Sequence, residues 1–128
     1  MKLFDSSAII NLCGEKEVDK LLEGWTLHLA FYELGNAVWK QAHIQKTITV
    51  NEANIVLDSL TAVFKKLKKP EMGDPLEILK IAIDEGLTYY DAAYVRAAVE
   101  NALTLVTNDK QLYKIGKKYV ETITTDEL

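Results

Sequence analysis

Ala53, Val56, Leu57, Leu60, Val63, Phe64 and Leu67 recur at steps of three and four residues, the spacing that puts apolar side chains on one face of a helix. Thr49 and Glu52 stand where a capping box would open that helix, the hydroxyl and the carboxylate each satisfying an amide of the first turn. Lys65, Lys66, Lys68 and Lys69 suit the negative end of its dipole, and Pro70 stops it. A second helix opens at Asp74-Pro75, a cap followed by the residue best tolerated at the first helical position, and closes at Gly86. A third begins at Thr88, three residues before Asp91, and runs to Asn101. Its Ala92, Ala93, Ala97 and Ala98 carry little bulk, so this helix can lie close against a sheet.

Leu34, Val38 and Ala42 mark a long helix that also carries Tyr32, Glu33, Asn36 and Lys40, and Ala30-Phe31 ahead of the glutamate predict a start without a side-chain cap. Shorter helical stretches are predicted over 15–23, with Gly24 as a left-handed stop, and over 110–118. Another follows Asp5-Ser6-Ser7 at Ala8-Ile9-Ile10. Between these lie short strand candidates at 2–4, 25–30, 104–106 and 119–123. Strands alternating with helical crossovers predict an α/β fold with a central parallel sheet of about four or five short strands, flanked by helices on both faces.

At 128 residues, without a Pro/Gly/Ser-rich linker or repeat, the chain is expected to form a single domain over 1–128. No apolar run reaches the roughly 20 residues of a membrane helix, and an acid at position 5 breaks any signal-like start, which points to the cytoplasm. Cys13 is the only cysteine, which excludes an internal disulfide and a cysteine-based metal site.

Chemistry in such a fold gathers at the carboxyl ends of the strands. Asp5, Glu33, Asp91 and Asp109 are the acids placed at element ends facing those exits, whereas the remaining acids sit on polar helix faces or act as caps. For any single Asp, helix capping alone is a sufficient reading. Gathering four carboxylates without a cation would be unfavourable, so the cluster implies a divalent metal. With oxygen ligands only, Mg²⁺ or Mn²⁺ is favoured over zinc, and phosphate oxygens are natural further ligands. Phosphodiester hydrolysis follows as the chemistry.

The segments LFDSSAI, YELGNAVWK, TYYDAAYVRAA and LVTND together resemble the PIN-domain nucleases, and within them the VapC-like ribonuclease toxins. The resemblance spans essentially the whole chain. It matches Asp5 to the acid ending the first strand, Glu33 to the acid of the long helix, Asp91 to the third acid and Asp109 to the acid of Thr-x-Asp. Ser6, Asn36 and Thr107 match polar positions that support the cluster. It implies a Mg²⁺- or Mn²⁺-dependent endoribonuclease that leaves a 5′ phosphate, the toxin of a type II toxin–antitoxin pair, with RNA as substrate, a VapB-like antitoxin as partner and a homodimeric state. The alternative is a catalytically idle PIN-like module that binds RNA or protein.

A net charge of −4 argues against a broad nucleic-acid surface, but Lys110, Lys114 and Lys117 lie at helical spacing just past Asp109. They read either as a solvated face or as contacts to an RNA backbone. His28 and His43 lack partner spacing for catalysis, and Trp25, Trp39, Tyr89, Tyr90 and Tyr94 read as core or interface positions.

Overall fold

The computed structural model describes residues 1–128. Strand β1 (Lys2–Phe4), β2 (Thr104–Val106) and β3 (Thr122–Ile123) form a parallel sheet in the order β1-β2-β3. Leu3 pairs with Leu105 and Phe4 with Val106, so successive side chains enter opposite layers. Phe4 and Val106 pack against α1 (Ser6–Gly14), α2 (Leu29–Trp39) and α3 (Val50–Lys66), through Ala8, Ile9, Leu12, Leu34 and Phe64. Leu3 and Leu105 pack on the other face against α4 (Pro75–Glu85), α5 (Tyr89–Glu100) and α6 (Lys110–Gly116), through Ile78, Ile81, Tyr94, Val95 and Leu112. Burying one such aliphatic side chain contributes roughly 1.5–3 kcal/mol. With both faces apolar, burial alone would tolerate a shifted register. The polar residues just past the strands, Asp5 and Thr107, fix where pairing ends.

Four helices begin as the sequence predicts. Thr49 and Glu52 make both bonds of a capping box, with Glu52 N–H donating to Thr49 Oγ1 (3.1 Å) and Thr49 N–H to Glu52 Oε1 (2.9 Å). Asp74 caps α4, which ends at Gly86 in the left-handed region, φ 68°. Thr88 caps α5, and α2 starts at His28 without a side-chain cap.

The sheet is smaller than predicted, with three strands instead of four or five. Of the segment 25–30 only Trp25 pairs, with Leu3 on one side and Lys68 on the other. Thr26 then turns its hydroxyl onto the Phe4 carbonyl (2.8 Å), and by Leu29 the chain is already helical. The last strand contracts to Thr122–Ile123. The helix predicted over 15–23 reduces to one 3₁₀ turn, Val18–Leu21, because Lys16 and Glu23 adopt positive φ (60° and 59°) and interrupt it at both ends. The left-handed stop is therefore Glu23. Gly24 is needed for space instead, since a Cβ there would come within 2.5 Å of the Phe4 ring. No helix is long and apolar enough to cross a membrane.

Candidate metal centre at the carboxyl edge of the sheet

Asp5 is the first residue beyond β1, and its N–H still donates to Val106 O (3.1 Å) as if the strand continued. Its extended backbone (ψ 176°) then makes it the N-cap of α1. Only 4% of the residue is exposed, and its carboxylate is held from three sides. Ser7 Oγ (2.6 Å) and Ala8 N–H (2.9 Å) donate to Oδ1, and the Thr107 hydroxyl donates to Oδ2 in a short hydrogen bond. The two hydroxyls are themselves oriented, because Asn108 N–H donates to Ser7 Oγ (3.0 Å) and Asp109 N–H to Thr107 Oγ1 (3.1 Å). The exits of β1 and β2 are thus tied together around one carboxylate.

The other three acids reach this edge from different elements. Glu33, half-buried on α2, accepts from the Tyr94 hydroxyl of α5 (2.7 Å). Asp91 lies in the first turn of α5; its N–H donates to Thr88 Oγ1 (3.1 Å), while its half-buried carboxylate accepts no hydrogen bond. Asp109 is exposed and caps α6 by accepting from Leu112 N–H (2.8 Å).

The acids act on one another electrostatically. Burial pushes the Asp5 carboxyl above its ordinary value against the pull of its three hydrogen bonds, and the charge of Asp91 adds to the rise. Burial also raises Glu33, opposed by the Tyr94 hydrogen bond and reinforced by Asp5 and Asp91. Asp91 is raised by burial and then by the charge of Asp109. Bare carboxylates repel, and no three of these side chains close to within ligand distance of a common point. The donor set, oxygens alone with Asp91 uncommitted, fits a hard divalent cation such as Mg²⁺ or Mn²⁺.

Among the supporting positions, Thr107 is fully buried and bonded to Asp5. Ser6, expected to support the cluster, approaches Glu33 and favours its charged form without completing a hydrogen bond, and the serine that bonds Asp5 is Ser7. Asn36 is exposed, forms no hydrogen bond with the acids and lines a surface groove with Tyr32 and Trp39. Lys110 and Lys114 are exposed without ion pairs, whereas Lys117 lies over the Tyr113 ring, 4.3 Å from its centroid. His43 stacks on Trp39, and His28 borders a cleft beside Leu27 and Tyr89.

Several residues of the network escaped the sequence reading. Tyr94 is one turn beyond Asp91 on the buried face of α5, and a phenol on an apolar face needs a partner, which was the available signal. Asn108 and Thr125 carry no comparable local sign. Thr125, 3% exposed, donates its N–H to Asn108 Oδ1 (3.0 Å) and accepts from Asn108 Nδ2 (2.9 Å) and Asn11 Nδ2 (2.7 Å), pinning the C-terminal turn to the loop behind Asp5.

Comparison with known proteins places this arrangement in context. The model of the PIN domain matches residues 2–118. Exonuclease VapC9 of Pyrobaculum aerophilum is 36% identical over 115 residues, which span 86% of this chain and 81% of that protein. Ribonuclease VapC3 of the same organism is 37% identical over 100 residues, 77% of this chain and 76% of that one. The crystal structure of PAE2754 from Pyrobaculum aerophilum superposes with a TM-score of 0.84 at 31% identity, covering 98% of this chain and 84% of that one.

Proposed function

The chain belongs to the PIN-domain family and is VapC-like, and from that premise we propose that it is a Mg²⁺- or Mn²⁺-dependent endoribonuclease, the toxin of a toxin–antitoxin pair. The observation that carries this reading is the buried Asp5 carboxylate, held by Ser7, Ala8 and Thr107 at the strand exit where it feels the charge of Asp91. A fold tolerates such repulsion most readily where a cation relieves it.

Asp5, Glu33 and Asp91 would hold the cation, with Asp109 at the margin. When bound, the cation supplies Lewis-acid neutralisation at the scissile phosphate and activates water for attack. The chain's own part is positional. Ser7 and Thr107 fix the plane of the Asp5 carboxylate, and Asp91 presents an uncommitted carboxylate. Asp109, committed to capping α6, adds negative potential beside Asp91. The test is cleavage of unpaired RNA by purified protein, with Mg²⁺ or Mn²⁺ and again with EDTA. A circular RNA separates internal cleavage from exonuclease action. Activity that survives EDTA overturns the metal assignment, and no activity with metal leaves the idle binding module.

Lys110 and Lys114, free on the helix that Asp109 caps, support backbone contact by the basic helix. Changing Lys110, Lys114 and Lys117 together to Gln should raise KM and lower the salt slope of RNA binding by about 0.7 for each lysine that meets a phosphate. An unchanged slope returns them to the solvated-face reading.

The homodimer and antitoxin rest on the apolar surface of α2 and α3. Tyr32, Trp39, Ile44, Val50 and Ile55 are all at least half exposed, and apolar side chains left open on neighbouring elements suit an interaction surface. Sedimentation should find two copies at micromolar concentration, and a VapB-like segment should bind near the acids. A monomer at that concentration would count against the dimer.

A further inference from the structure

Tyr94 links the two halves of the candidate centre. Its ring is 1% exposed and packs in the core between the sheet and α4–α6, so its position is set by packing and not by the site. Its hydroxyl emerges at the strand exits and donates to Oε1 of Glu33, which belongs to α2 in the opposite layer. Next to it the Thr26 hydroxyl is committed to the Phe4 carbonyl, one residue before Asp5. On α5, Tyr94 stands one turn after Asp91, on the same face.

We propose that Tyr94 is the positioning residue of the centre: its hydroxyl occupies one oxygen of Glu33 and leaves the other oriented toward the edge shared with Asp5 and Asp91. The inference rests on the metal-centre reading given above. A glutamate has three side-chain torsions to fix before it can serve as a ligand, and that ordering opposes cation binding unless it is complete beforehand. The phenol completes it. A core-anchored donor on α5 also keeps Glu33 in step with Asp91, so the two acids keep their spacing although they belong to helices of different layers. Outer hydrogen bonds of this kind are worth about 10- to 100-fold in metal affinity.

The experiment is calorimetric titration of the whole protein with Mn²⁺, for wild type, Tyr94→Phe, Glu33→Gln and the double variant. Tyr94→Phe keeps the ring that fills the core, and its circular dichroism should match wild type. Its Mn²⁺ affinity should fall about 10- to 100-fold. Glu33→Gln should fall further, and Tyr94→Phe should add little in that background, because a residue that acts through Glu33 has nothing left to position. A Tyr94 that serves only the fold would instead multiply the two losses. Glu33→Asp tests the same contact from the other side: it keeps the charge, draws the carboxylate back from the phenol and should also weaken binding. Wild-type affinity in Tyr94→Phe, with loss in Glu33→Gln, overturns this inference and leaves the metal centre standing. Undiminished affinity in Glu33→Gln removes Glu33 as a ligand and this inference with it, and no Mn²⁺ binding by wild type overturns the metal centre itself.

Discussion

Asp5→Asn should lower the rate of RNA cleavage at saturating Mg²⁺ by more than about a hundredfold, beyond the 10- to 100-fold typical of losing a group that only supports a ligand. The fold should survive the change. Oδ1 of the asparagine can still accept from Ser7 and Ala8, while its amide nitrogen faces Thr107 Oγ1, which can accept in place of donating. What is lost is the charge, and in the metal-free protein that charge is unfavourable because burial holds the Asp5 carboxyl above its ordinary value. The sign follows from proton linkage. A folded state that holds a proton at higher pH than the unfolded chain gains stability as pH falls through the raised value toward the ordinary carboxylate range. In EDTA, the difference in melting temperature between Asp5→Asn and wild type should therefore move in favour of wild type on acidification through that window. A difference independent of pH would mean that Asp5 is not destabilised by ionisation. Cleavage by Asp5→Asn within threefold of wild type would remove Asp5 from the centre.

The parts of this site that could be read from the sequence are those fixed by local chemistry. Asp5 and Asp109, each between a strand and a helix, and Thr88, between two helices, announce themselves because a small polar residue just ahead of a helix caps it, and all three do so here. The α/β class was legible for the same reason, since apolar spacing of three and four separates helices from the short strands between them. Pairing through one residue was not. Trp25 joins the sheet only because Lys2 and Lys68 offer backbone partners from distant positions, and nothing in 25–30 records that. The choice between Ser6 and Ser7 depended on how the first turn of α1 winds after its cap, a matter of one residue in register. The Asn108–Thr125–Asn11 network joins segments as far as 114 residues apart, and only the folded chain brings them together. Tyr94 lies between these cases: its need for a partner was visible, its partner was not.

Asp91→Asn should reverse its stability relative to wild type when a cation is added. In EDTA the variant should melt close to wild type or above it, because the helix cap is Thr88 and the Asp91 carboxylate accepts no hydrogen bond that asparagine would lose. Removing the charge forgoes about 0.3–1 kcal/mol of interaction with the start of α5. It also relieves the burial and the Asp109 repulsion that together hold the carboxyl above its ordinary value, and that net rise means ionised Asp91 is unfavourable in the fold. With Mg²⁺ or Mn²⁺ at a hundredfold excess over Kd, a ligand bound only by the folded state adds RT ln(1 + [L]/Kd), roughly 2.7 kcal/mol. For a chain of this size that is a rise of roughly 10 °C. Wild type should gain it in full and Asp91→Asn only in small part. Melts of both proteins with and without metal separate this from a purely structural role, which predicts one fixed difference whatever the cation. Equal shifts on adding metal would show that Asp91 is no ligand, and the carboxylate with the fewest competing bonds would then stand outside the centre.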